Sequence, residues 1–138
     1  MSGVTVQDDC VTKFEEMKTR HLYKYIIYKI ENKKEIVIDC IGEKGATYDE
    51  FKNKLLEDKS QPRYALVDMS YNTADGRPQE KLVFLFYSDD DNTGVKDRML
   101  YASSKDAIKK KLPGVMKEHQ ANASDALEES AVIETCLK

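Results

Sequence analysis

Long apolar stretches are missing from this chain. The longest uninterrupted run is Leu82–Tyr87, far below the roughly 20 residues that span a bilayer. The opening segment, Met1–Asp9, has no basic start followed by an apolar stretch, so no secretory leader is expected. Proline and glycine are scarce, at 3 and 6 of 138 residues. That leaves no composition for a long linker, and no repeat or low-complexity tract marks a boundary, so residues 1–138 are expected to form one domain. Cysteine is limited to Cys10, Cys40 and Cys136. None of the three stands in CxxC or metal-ligand spacing, which reads as reduced, mostly core-filling thiols of a cytosolic protein. Histidine is rarer still. His21 and His119 fall in neither an HExxH nor an HxH pattern, and no GxSxG, P-loop or GxGxxG occurs. Asp89-Asp90-Asp91 lacks the alternating ligands, central glycine and distal glutamate of a calcium loop, and reads as a solvated acidic loop. No catalytic residue, metal or cofactor is therefore assigned, and the protein is not expected to be an enzyme. Positive charge is also in deficit, with 22 Lys+Arg against 25 Asp+Glu. A nucleic-acid coat is not expected, since such domains usually have a pI above about 9.

What is present is a foldable mixture: 41% hydrophobic residues for a core and 34% charged residues for a densely ionic surface. The spacing of Cys10, Val11, Phe14 and Met17 predicts a helix over Asp8–Lys18, with Thr5…Asp8 as its capping box. Tyr23–Ile30 and the alternating Glu35–Ile41 predict a hairpin around Glu31-Asn32-Lys33-Lys34. Thr47-Tyr48-Asp49-Glu50 caps a short helix that buries Phe51, Leu55 and Leu56. Tyr64–Met69 and Lys81–Tyr87 read as strands joined by a polar loop, Asn72–Gln79, with Asp75-Gly76 as a turn signal. The unbroken apolar run of the second suits a strand covered on both faces. A long helix is expected over Val95–Lys111, kinked or restarted at Ser103-Ser104 and stopped by Pro113-Gly114. A strand over Val115–Ala121 and short helices over Ser124–Glu129 and Ala131–Leu137 follow. The fold class is α+β: three α/β/α layers built on a mixed five-stranded sheet flanked by helices.

The charge is unevenly placed. Residues 96–117 hold seven cations (Lys96, Arg98, Lys105, Lys109, Lys110, Lys111 and Lys117) against Asp97 and Asp106. That window is +5, which leaves −8 for the rest of a chain whose net charge is −3. At about 100° per residue, Arg98, Lys105 and Lys109 fall within roughly 40° of one another. Such a stripe can steer an acidic partner or an anionic lipid headgroup. It can equally be a solvated face whose lysines suit the helix C-terminus. No aromatic platform accompanies it for nucleic acid.

The run Lys96-Asp97-Arg98-Met99-Leu100-Tyr101-Ala102-Ser103-Ser104-Lys105-Asp106-Ala107-Ile108-Lys109-Lys110-Lys111-Leu112 resembles the signature helix of the actin-depolymerising factor/cofilin family. Met1-Ser2-Gly3-Val4 looks like that family's N-terminus, Arg63-Tyr64-Ala65-Leu66 with Lys81-Leu82-Val83-Phe84 like its central strand pair, and Gln120-Ala121-Asn122 like the end of its last strand. The resemblance implies the ADF-homology fold. It also implies a monomeric cytoplasmic protein of the actin cytoskeleton that binds ADP-actin monomers and filament sides, severs and depolymerises filaments, and needs no cofactor. Phosphoinositide headgroups would compete for the basic surface, and phosphorylation of the N-terminal serine would switch actin binding off.

Residue by residue, the resemblance places monomer and filament contacts at Ser2, Gly3, Val4, Lys96, Arg98, Met99, Lys105, Asp106 and Lys109. Filament-side contacts fall at Lys81, Glu134 and Lys138, with Ser2 as the phosphorylation site. Lys96, Arg98, Lys105, Lys109 and Lys110 would receive phosphoinositide headgroups. Met99 could instead be core, and Asp106 a helix cap. Gln79 stands where the family has a further basic residue, and Thr135 where some members carry Arg. Lys117 occupies the place of the histidine proposed as a pH sensor in vertebrate members, and only Lys33-Lys34 stands where those members have a basic nuclear-import insertion. Two rivals remain: a phosphoinositide-binding protein of the membrane surface, and a weakly severing relative of the coactosin-like or glia-maturation-factor-like kind.

Overall fold

The computed structural model of the chain describes residues 3–115 and 117–137. Among these residues the chain runs β1 (Thr5–Val6), α1 (Asp8–Arg20), β2 (Tyr23–Glu31), β3 (Glu35–Glu43), α2 (Tyr48–Leu56), β4 (Arg63–Asn72) and β5 (Pro78–Tyr87). It continues with α3 (Val95–Lys109), β6 (Lys117–Ala121), a 3₁₀ turn (Ser124–Leu127) and α4 (Glu129–Leu137). The spatial order is β1-β3-β2-β4-β5-β6. The four inner strands are antiparallel, while β1 lies parallel to β3 and β6 parallel to β5.

The sheet therefore has six strands rather than five, and the extra one is β1. Thr5 does not cap α1. Its N–H donates to the Lys34 carbonyl at 3.0 Å, and the Gln7 N–H donates to Ile36 at 2.9 Å. Gln7 holds the N-cap position without a side-chain hydrogen bond. A two-residue strand has no periodicity to detect, so backbone pairing prevailed over the cap pattern unannounced. Thr47 does cap α2, its hydroxyl accepting from the Glu50 N–H at 3.2 Å.

Helices cover both faces. Phe14 and Met17 of α1 and Tyr101 and Ile108 of α3 pack with Ile26, Tyr28, Tyr64, Leu66, Phe84 and Phe86. On the other face, Phe51 and Leu55 of α2, Leu127, and Val132 and Cys136 of α4 pack with Ile27, Ala65, Val67, Val83, Leu85 and Tyr87. The run Leu82–Tyr87 thus supplies both cores by alternation, as a strand covered on both sides must. Each buried aromatic or aliphatic side chain contributes about 1.5–3 kcal/mol in transfer free energy.

Tyr101 locks α3 to the sheet. Its ring lies 5.3 Å from that of Tyr64, centroid to centroid. Its hydroxyl accepts from the buried Ile30 N–H at 2.8 Å, and its carbonyl accepts from the Tyr64 hydroxyl. No restart occurs at Ser103-Ser104, because Val95–Lys109 is one unbroken α-helix. Ser103 only returns a hydrogen bond to the Leu100 carbonyl at 3.1 Å, and Ser104 is fully buried. Core packing at Tyr101, Ser104 and Ile108 outweighs the local preference of the serines. After the helix, Gly114 takes a φ of +92°, open to glycine without strain. Tyr101→Phe would orphan the Ile30 N–H and should lower unfolding free energy by about 1–3 kcal/mol in urea titrations. Unchanged stability would show that this bond does not anchor the helix.

Candidate functional site

The loop before α3 is more structured than its three aspartates suggest. Asp89 is buried rather than solvated, accepting from the Tyr87 hydroxyl at 3.0 Å and the Asp91 N–H at 3.0 Å. Burial pushes its carboxyl up, but hydrogen bonds from the Asn92 side chain, the Tyr87 hydroxyl and the Asp91 and Asn92 N–H groups outweigh that and hold it below its ordinary value. The Thr93 hydroxyl donates to the Asp89 carbonyl at 2.6 Å, and the Asp90 N–H donates to Asn122 at 3.0 Å. The loop is thereby fastened to β6, and it delivers the chain into α3 at Gly94 in a defined direction.

With Tyr101, Ser104 and Ile108 turned inward, the opposite side of α3 faces solvent. Val95 is 61% exposed and Met99 66% exposed, which settles Met99 as surface rather than core. Lys96 is exposed and makes no ion pair among the described residues. Asp106 is exposed inside the helix and caps nothing. The other cations are engaged. Arg98 donates to the Asp90 carbonyl at 2.9 Å and lies 3.7 Å from its carboxylate. Lys105 and Lys109 meet the two oxygens of Glu118 at 2.8 and 2.7 Å. Lys110 is exposed at the C-cap. The predicted stripe of Arg98, Lys105 and Lys109 exists, but all three are held by the loop and strand beside it.

Val4 is 8% exposed and packs in the same core cluster as Tyr101, so the N-terminal segment runs beside α3, with Gly3 exposed ahead of it. Ser2 and Lys138 lie outside the described residues. Lys81 and Glu134 are both exposed. Lys81 lines a groove of about 560 Å³ with Gln79, Cys136 and Leu137, so the start of β5 meets the end of α4. This groove is separate from the α3 face, which keeps the two predicted contact regions apart.

The remaining polar clusters suit other roles. Both ring nitrogens of His119 are engaged, with Thr135 Oγ1 at 2.7 Å and the Ala126 carbonyl at 2.8 Å, so it ties β6 to α4. His21, Asp68 and Glu80 bring ligand-type atoms within 4.8 Å of one another. Arg20, Lys24 and Lys44 line the same cavity, and three added cations make it a poor seat for a metal ion. Among the described residues, Glu118 and Asp90 are what inspection of the sequence missed. The signal for Glu118 was available: alternation along β6 puts it beneath two lysines spaced i, i+4.

α3 thus lies packed against the sheet and presents exposed apolar and basic side chains, Val95, Met99 and Lys96, on its other side. A sequence profile described as cofilin/tropomyosin-type actin-binding protein matches residues 3–137. Actophorin of Acanthamoeba castellanii is 39% identical over 139 residues, covering 100% of this chain and 98% of its own. Cofilin of Gibberella zeae is 38% identical, covering 99% and 95%. In three dimensions, an actin depolymerization factor of Plasmodium berghei superposes with a TM-score of 0.85 at 33% identity, covering 99% and 97%. The chain belongs to the cofilin/actin-depolymerising factor family, whose members are non-enzymatic actin-binding proteins.

The Glu118 ion pairs have a pH signature. Burial pushes the Glu118 carboxyl up, but the hydrogen bonds and charges of Lys105 and Lys109 outweigh it and hold it below its ordinary value. A depressed folded-state pKa adds stability above the unfolded carboxylate pKa, and that contribution is lost as pH falls through the folded value. Glu118→Gln should therefore be less stable than wild type at neutral pH, with a smaller deficit once the pH is below the ordinary carboxylate range, read from urea midpoints at both. An equal deficit at both would show that the ion pairs are not its cause.

Proposed function

We propose that this protein binds actin monomers and the sides of actin filaments, and accelerates filament severing and subunit loss in the cytoplasmic actin cytoskeleton. The observation that carries the reading is the outward face of α3, where Lys96 and Met99 are neighbours one turn apart, with Arg98 on the flank beside Asp90, on a helix held from beneath by Tyr101. Residues 1–138 act as one monomeric ADF-homology domain. Gly3, Val4, Lys105, Asp106 and Lys109 extend the docking face, and Ser2 is its switch. A phosphate there adds about −1.5 to −2 charge, which would repel an acidic partner from beside the α3 cations. Lys81, Glu134 and Lys138 form the second, filament-only contact, with the groove between β5 and α4 at its centre. Severing follows from differential affinity: a ligand that favours the ADP-bound, weakened filament state shifts the population toward it. Phosphoinositide headgroups compete for the same cations, and Lys96 and Lys110 are the pair that no acid of the chain neutralises among the described residues.

Lys96→Ala with Arg98→Ala should weaken binding to both ADP-actin monomers and filaments while changing folding stability by no more than about 0.5 kcal/mol. Unchanged affinity in monomer titrations and filament co-sedimentation would remove α3 from the docking face. Lys81→Ala with Glu134→Ala should reduce filament co-sedimentation more than monomer binding, and equal losses would count against a second contact.

A further inference from the structure

The basic flank of α3 already holds an anion, and the anion belongs to the chain itself. In the parallel β5–β6 pair, Glu118 is opposite Phe84, and Phe84 faces the α1–α3 layer. Alternation therefore turns Glu118 toward α3 and sends His119 to α4, where it contacts Thr135. Lys105 and Lys109 are one helical turn apart above it, and each takes one carboxylate oxygen, at 2.8 and 2.7 Å. The seat is open: the side chains of Lys105, Lys109 and Glu118 are 26%, 39% and 32% exposed.

We propose that Glu118 is a resident competitor in the docking site: its carboxylate occupies the anion seat made by Lys105 and Lys109, and an acidic group on the partner protein must displace it. This rests on the reading of α3 as the actin-docking helix. Two lysines offer two positive charges to an approaching surface, and Glu118 reduces the trio to one. Both the attraction at a distance and the contact available on arrival are smaller than the sequence implies. Solvent-exposed ion pairs are weak enough to exchange, and an ammonium keeps three rotatable donors with which to change partners. The arrangement thus sets affinity at a value below what the helix charge alone would give.

Glu118→Gln keeps the shape and removes the charge. Its affinity for ADP-actin monomers and filaments should rise by about 3- to 10-fold at low salt. The gain should shrink as salt is raised, because the freed lysines are screened. In a Lys105→Ala/Lys109→Ala background the same substitution should change nothing. A folded Glu118→Gln protein that binds as wild type or more weakly overturns the proposal. If Lys105→Ala/Lys109→Ala itself leaves binding unaltered, the docking role of that part of α3 fails, and the competitor with it. If that pair weakens binding and Glu118→Gln brings no gain, the docking role stands and the competitor alone falls. Should the glutamine variant not fold, Glu118→Asp draws the carboxylate back by one methylene and should give a smaller gain. No gain there is equally contrary.

Discussion

Tyr101 is held at ring, hydroxyl and carbonyl together, and the orientation of α3 depends on that grip. Its ring packs on Tyr64, its hydroxyl takes the Ile30 N–H, and its carbonyl takes the Tyr64 hydroxyl. With one residue so constrained, the helical repeat determines the direction of every other side chain on α3. Ser104 and Ile108 go inward with it, while Lys96, Met99 and Asp106 go outward. Because the hydrogen bonds are buried on the sheet side, rotating the helix would leave the Ile30 N–H unpaired. The proposed docking surface, made this way, is presented in advance, so little ordering would be required when a partner arrives.

The same rigidity gives the surrounding charges their meaning. Asp89 is buried to fasten the loop that leads into α3, which places Asp90 beside Arg98. β6 places Glu118 beneath Lys105 and Lys109. The basic helix is therefore embedded in acids of its own chain, and only part of its charge is offered outward. In Arg98, Lys105 and Lys109 a proposed contact residue and an internal ion-pair partner are the same side chain.

Much of the fold was legible because its signals are local. The Glu31–Lys34 turn, the Thr47 cap and the apolar run of β5 each depend on neighbours in sequence, and each appears as read. β1 was not legible, since two residues paired across a gap of about thirty carry no pattern of their own. Ser103-Ser104 misled for the opposite reason, a strong local signal overruled by packing against the sheet. The site divides the same way. The positions of Lys96, Arg98 and Met99 could be taken from the signature helix, but the engagement of Arg98 by Asp90 and of Lys105 and Lys109 by Glu118 is a product of tertiary placement.

The central claim is that the outward face of α3 is where actin docks, and Met99 reports on it from the middle of that face. Hydroxyl-radical footprinting of the free protein and of its complex with saturating ADP-actin would read the oxidation of Met99 against that of Leu22, an exposed side chain beyond the end of α1. The account predicts that Met99 becomes strongly protected in the complex while Leu22 reacts as before. Undiminished oxidation of Met99 in a complex shown to be saturated would contradict it.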